Sequence, residues 1–316
     1  MHRPSRRCAR FWASISGQSS GTIARPEGGS VQIVALTKRK IRPAWRYTPG
    51  GILWRVFPSH PDVLVGEERD VNRKETTFFC LGRRTGKPHW EKRSFGEKWW
   101  IGIESVGPDV VYLHRFVQPD MPGHRGIIAV DLRTGEELWR EEDLTLERMS
   151  ATGVIASRMT LNGREEIALD TRTGNRFAAK SSGNGVDIQP MVEADIDFPD
   201  LADGPLAGYP DLLPFHDVIP PLEVREGPLE FLQVGSNVVM SYHERGASTG
   251  PADNTFRHLL LVGDRASGVI LFRDTVAANA TGIVPDSFFV QDGMLFYVRE
   301  RKSLIALALS DTSSPA

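Results

Sequence analysis

Short apolar runs, each bounded by turn residues, recur from about residue 43 to 310 and predict β-strands. The clearest are Asp109–Leu113, Gly126–Val130, Leu229–Leu232, Asn237–Tyr242, Met294–Val298 and Ser303–Ser310. Between runs lies a repeated frame, fullest at Ala129-x-Asp131-x-x-Thr134-Gly135-x-x-x-Trp139. It recurs at Ala168, Asp170, Thr173 and Gly174, at Val262, Asp264, Ser267, Gly268 and Phe272, and more loosely at Cys80, Gly82, Thr85, Gly86 and Trp90. Aspartate in a turn bonds the backbone amides ahead of it, glycine supplies the positive φ, and the aromatic packs between neighbouring units. Each frame is therefore a strand, a tight turn and a returning strand, and with two further runs upstream each unit is a sheet of about four strands.

The spacing of these frames predicts an architecture. Trp45 to Trp90 spans 45 residues, Gly86 to Gly135 spans 49, Gly135 to Gly174 spans 39, and Gly174 to Gly268 spans 94, twice 47. A period of about 40 to 50 residues is that of four-stranded propeller blades, which stack radially and cover one another's apolar faces. The expected fold is all-β, a propeller of five to six four-stranded antiparallel blades over residues 43–316. The final run ends without a fourth strand, whereas Ala44–Tyr47 resembles an orphan fourth strand like that at Trp139. The strand near Trp45 is expected to complete the sheet near Leu304 and to close the ring, removing two open edges.

Between residues 181 and 227 the pattern lapses. Seven prolines from Pro190 to Pro221 exclude a central strand over most of it, and ten acidic residues from Asp187 to Glu226 face one arginine, Arg225. It is a degenerate blade or a long loop, and a loop of that length is often functional.

The frame completed by Ala129, Asp131, Thr134, Gly135 and Trp139 resembles the repeat of quinoprotein-type (PQQ-like) β-propellers, with one full match and three partial ones. Some members of that family are dehydrogenases holding pyrroloquinoline quinone and calcium. The resemblance implies for them a longer chain, an export signal and commonly an adjacent cysteine pair, and Cys8 and Cys80 are not adjacent. A fold does not carry a function. The order of Trp99-Trp100, the proline-rich middle and the ending from Asp286 to Leu304 is also similar to a small bacterial family known only as a domain of unknown function.

Composition narrows the class. The chain has 316 residues, 40% of them apolar and 25% charged, with no run near the roughly 20 apolar residues of a membrane-spanning helix. A net charge of -2 gives no bulk attraction to nucleic acid, although residues 1–42 carry nine basic residues against Glu27. That head is expected to be a disordered basic tail, because Ser14, Ser16 and Gly17 interrupt the apolar core a secretory signal needs. The expected compartment is the cytoplasm and the expected state a monomer. Cys80 stands where other frames hold Ala129 and Ala168 and is expected to be a buried strand residue.

Candidate chemistry is sparse. Glu193, Asp195, Asp197 and Asp200 present carboxylates at near-alternate positions, as a hard cation or an acid/base hydrolase would use, but without the glycine and glutamate of an EF-hand loop. His114 and His243 fall at the ends of second strands and read as part of a charged rim. No histidine has a second histidine or a cysteine two to four residues away, and neither a nucleophile elbow nor a phosphate loop is present. No catalytic, cofactor-binding or metal-ligating residue and no cofactor is assigned. The expected function is a binding platform for a protein or peptide, with Trp99 and Trp100 either an exposed anchor or part of a blade's first strand. The alternative is a propeller enzyme, hydrolytic or cation-dependent, using the 193–200 loop.

Overall fold

A computed structural model describes residues 40–59, 62–118, 121–150, 153–177, 181–182, 185–186, 195–245 and 255–309. Residues 1–39 of the basic head and Glu193 thus lie outside the described residues. In chain order the strands are β1 (Pro43–Tyr47), β2 (Ile52–Ser59), β3 (Val63–Asp70), β4 (Glu75–Gly82), β5 (Pro88–Arg93), β6 (Ile101–Val106), β7 (Val110–Gln118) and β8 (Met121–Asp131). There follow β9 (Glu137–Glu141), β10 (Thr145–Met149), β11 (Gly153–Thr160), β12 (Gly163–Asp170), β13 (Arg176–Phe177), β14 (Ser181–Ser182), β15 (Gly185–Val186) and β16 (Asp200–Ala202). The last are β17 (Arg225–Val234), β18 (Asn237–Arg245), β19 (Phe256–Asp264), β20 (Ile270–Ala280), β21 (Phe288–Gln291), β22 (Met294–Arg299) and β23 (Ser303–Ala308).

The chain is all-β and consecutive strands pair as meanders. Among the described residues there are four four-stranded sheets, β2-β3-β4-β5, β6-β7-β8-β9, β10-β11-β12-β13 and β1-β23-β22-β21, one five-stranded sheet, β16 to β20, and the pair β14-β15. In the fourth of these the strand carrying Trp45 lies beside the one carrying Leu304, the pairing read from the unfinished final repeat. Two compact units form, one of residues 45–195 with 301–303, the other built on residues 196–300 and 304–309. No helix among the described residues is long and apolar enough to cross a membrane.

Both faces of the inner sheets are buried, which explains why their strands read as unbroken apolar runs. In β7 and β8, Val111, Leu113, Ile128 and Val130 join one core cluster, whereas Val110, Tyr112, Ile127 and Ala129 join another. In the second unit Val239, Leu260 and Val262 serve one cluster while Val238, Met240, Leu259 and Leu261 serve the next. Cys80 is fully buried and free, and burial pushes its thiol up to about 12.

The repeated frame forms the turn it predicts. Asp131 Oδ1 accepts from the amides of Arg133 and Thr134, both at 2.9 Å, and Asp170 accepts likewise from Arg172 and Thr173. The turn glycines hold φ near +65° to +68°, a region costly to a residue with a Cβ. Each frame's tryptophan then docks on the glycine of a later frame. Trp45 lies on Gly86, Trp90 on Gly135 and Trp139 on Gly174, with the indole N–H donating at 2.9 Å to the carbonyls of Arg83, Leu132 and Thr171 respectively.

Part of the segment 181–227 lies outside the described residues, and its described part carries β14–β15, one edge strand and two short turns. Its prolines leave β16 as a three-residue edge strand on β17 and shape two short 3-10 turns, Leu206–Gly208 and Pro210–Phe215. Leu212 and Phe215 are fully buried in the core of the second unit. Pro214 places its carbonyl where a Cβ on Gly268 would come within 2.1 Å of it. This segment therefore covers the turn glycine that a tryptophan covers in the other frames. Of the two readings of Trp99 and Trp100, a first strand does not hold, because both precede β6, whose pairing starts at Ile101. Their amides are capped by Glu97 Oε1 at 2.9 and 3.0 Å, which holds the chain in a bend before the strand.

Candidate functional site

Antiparallel meanders place the turn frames at one end of the three sheets in the first unit. At the other end are the hairpins β3–β4, β7–β8 and β11–β12 and the connections 94–100 and 142–144. Backbone hydrogen bonds from Thr76 to Lys98, from Phe116 to Trp100 and from Gly126 to Leu144 tie these segments together. It is on this end that the chemistry of the unit gathers.

Glu104 on β6, His114 on β7 and His124 on β8 meet there, their donor atoms all within 4.8 Å of one another. Bulges bring them together. The β6–β7 register shifts between Ile103 and Ser105, leaving Glu104 as the extra residue, and the β7–β8 register shifts twice, around Gly126 and again past Phe116. A bulge re-aims side chains that regular alternation would send to opposite faces. His124 Nδ1 lies 2.6 Å from Glu104 Oε2, and His114 Nδ1 lies 3.9 Å from the same oxygen. The two imidazoles stack at 3.5 Å, and the ring of Phe116 stands edge-on to both.

Electrostatics differ across the cluster. His114 is 2% exposed, and its Nδ1 has no hydrogen-bond partner among the described residues. Burial first, then the charge of His124, pushes His114 down to about 4, so its ring is neutral at physiological pH. Burial opposes charge on Glu104, but the hydrogen bond from His124 and the neighbouring positive groups outweigh it and hold the carboxyl below its usual range. Beneath lies fully buried Glu67, which accepts from Arg69 Nε at 2.6 Å and from the Ile103 amide at 3.4 Å. Gly102 makes room for this layer, since a Cβ there would stand 3.0 Å from His114 Nε2 and 3.3 Å from Glu67 Oε2. Arg69 in turn stacks against Trp54 and Trp99, 4.8 and 5.1 Å from their rings.

A continuous shallow groove runs beside the cluster. One part is lined by Trp100, Phe116, Arg115 and Glu142, the next by His124, Thr145, Arg158 and Met159, and both share Val117, Arg125 and Asp143. Arg115 pairs with Glu142 and Arg125 with Asp143, so its rim carries both signs of charge.

The second unit holds a different, enclosed constellation. Ser241 Oγ lies 2.6 Å from His258 Nε2 and 2.8 Å from Ser287 Oγ, and Ser287 donates through its hydroxyl and its amide to Glu230. His243 stacks on His258 at 4.0 Å. Ser241 and His258 are each 1% exposed, which bars this serine–histidine pair from any substrate. Burial pushes Glu230 up to about 7 and His243 down to about 4. His114 and His243 are therefore not members of a charged rim. Both face inward, and burial lowers the pKa of each, with a second histidine stacked on it from the next strand.

Arg225 is 3% exposed, and Nε, Nη1 and Nη2 have no hydrogen-bond partner among the described residues, while burial lowers its pKa. Desolvating an unpaired guanidinium costs free energy that an apolar side chain of similar length avoids. Arg225→Met is expected to raise stability by about 2 kcal/mol, read from the denaturant midpoint. A fall in midpoint would show that the guanidinium is held by a partner.

The described members of the acidic loop, Asp195, Asp197 and Asp200, form no cluster among the described residues. Asp195, Asp197 and Asp200 are exposed, Asp197 exchanges backbone bonds with Val290, and Asp200 pairs with Phe231. The cluster that does form was hidden because its members are ten residues apart, beyond any local ligand motif. Equal spacing across adjacent antiparallel strands is the one signal that could have raised it.

Residues 58–139 match a family described as "Domain of unknown function (DUF4905)". This covers Trp99-Trp100 but neither the proline-rich middle nor the C-terminal strands. No curated protein matches the chain. Among solved structures it is similar to BamB from Moraxella catarrhalis, at 14% identity over 84% of this chain and 88% of that one, with a TM-score of 0.30. It is also similar to the uncharacterized protein lmo1340 from Listeria monocytogenes EGD-e, at 10% identity over 84% and 97% of the two chains, with a TM-score of 0.30. A third similarity, to the Dos1 propeller, has 10% identity over 82% and 67%, with a TM-score of 0.28. Likeness at this level carries no argument about activity.

Proposed function

We propose that the protein is a non-catalytic β-propeller platform, closed by the strand at Trp45, that docks a protein or peptide on the hairpin end of its first unit. The observation that carries this reading is the groove at that end. Trp100 is 37% exposed there, packed edge-on against Phe116 and continuous with Val117 at 47% and Met159 at 78% exposure. Aromatic and methionine side chains rimmed by paired charges are the composition of an interaction surface. The matching occupant is an extended segment presenting an apolar side chain flanked by one basic and one acidic residue, complementary to Asp143 and Arg125. An enzyme reading is less well supported, because this groove is open and the serine–histidine pair is sealed.

A displayed library of random peptides selected against the full chain tests this. Enriched sequences are expected to combine an apolar anchor with charges of both signs, and to lose about tenfold or more in affinity for Trp100→Ala. Failure to enrich any sequence, or equal affinity for parent and Trp100→Ala, would overturn the reading.

A further inference from the structure

We infer that Glu104, His114 and His124 form a binding site for a single first-row divalent transition ion of the zinc class. Two imidazoles and one carboxylate are the donor set that such ions prefer, whereas calcium and magnesium take oxygen. Each donor stands on a different strand of one sheet, so the backbone fixes their mutual positions. Tetrahedral coordination with bonds of about 2.0–2.1 Å places donors about 3.3–3.5 Å apart. The separations of Glu104 Oε2 from His124 Nδ1 and from His114 Nδ1, 2.6 and 3.9 Å, bracket that value.

A second observation points to a ligand independently of this spacing. His114 Nδ1 is buried, faces Glu104 and has no hydrogen-bond partner among the described residues, although a buried polar atom left so is costly. A cation held between His114, His124 and Glu104 satisfies that lone pair and replaces the direct His124–Glu104 hydrogen bond. The absence of a side chain at Gly102 leaves room for the His114 ring, since a Cβ there would stand 3.0 Å from its Nε2. His124 also lines the groove, so a fourth position on the ion opens toward it. The inference stands whether or not a partner docks in that groove.

The full chain, stripped with a chelator, is titrated with Zn2+ by calorimetry and with Co2+ by visible absorption, with Mg2+ as the oxygen-seeking control. Saturable one-to-one binding of Zn2+ and Co2+ is expected, with Mg2+ silent. Glu104→Gln and His124→Asn, at partly exposed positions where folding is retained and is checked by circular dichroism, are expected to weaken Zn2+ on the order of 100-fold. His216→Asn, on an exposed histidine of the second unit, is expected to leave it unchanged. No saturable Zn2+ binding, unchanged affinity in both variants, or Mg2+ binding as tightly as Zn2+ would each overturn the site.

Discussion

Replacing Trp90 with alanine is expected to destabilise the first unit by about 3–5 kcal/mol, the range for removing a large buried aromatic. Trp90 is 6% exposed, and its ring lies so close to the turn at Gly135 that a Cβ on that glycine would come within 2.6 Å of it. Its indole N–H is also the partner of the buried Leu132 carbonyl, so truncation leaves both a cavity and an unsatisfied acceptor. Trp90→Phe keeps most of the ring and loses the donor, and is expected to cost about 1–3 kcal/mol. The described tryptophans, Trp45, Trp54, Trp90, Trp99, Trp100 and Trp139, all belong to the first unit, so their fluorescence during urea unfolding reports on it. A midpoint shift worth less than about 1 kcal/mol for Trp90→Ala would mean the docked tryptophan is not what joins successive frames.

Glu230→Gln is expected to change how the second unit responds to pH. The carboxyl of Glu230 is raised from 4.5 to about 7 by burial, against the opposing hydrogen bonds from Ser287. Below 4.5 it is protonated in both the folded and the unfolded chain. As pH rises, the unfolded carboxyl ionises first, so stability is lost between 4.5 and about 7, by about 3 kcal/mol at pH 7. His243, lowered to about 4, and His258, lowered well below 6.5, act in the opposite sense. Neutral when folded, they cost stability as pH falls below 6.5 and the unfolded rings take up protons. The parent therefore has opposed slopes over this window, and the variant retains the histidine slope alone. Hydrogen-exchange protection of β17–β19, compared between parent and variant at each pH, is expected to diverge by about 3 kcal/mol from pH 4.5 to 7. A difference that does not vary with pH would mean that Glu230 is ionised in the folded protein throughout.

How much of this was legible in the residues follows from the range over which each interaction acts. The frame Ala129-x-Asp131-x-x-Thr134-Gly135 determines its own turn, because aspartate, threonine and glycine act within five residues and need no distant partner. Unbroken apolar runs such as Ile127 to Val130 gave strands buried on both faces, and the unfinished last repeat pointed to the strand at Trp45. The prolines of 181–227 excluded a central strand, but only packing decided that Pro214 would cover the turn glycine Gly268 and Phe215 the strand glycine Gly263.

Local patterning could not reach the site. Glu104, His114 and His124 are brought together by two shifts of register, and Trp100 is held outside β6 by the Glu97 cap. The sequence by itself determined the turns, the strands and their period, since these depend on neighbours along the chain. Which side chains share a face was decided by tertiary structure alone, because a single extra residue in one strand reverses the side to which every following residue points.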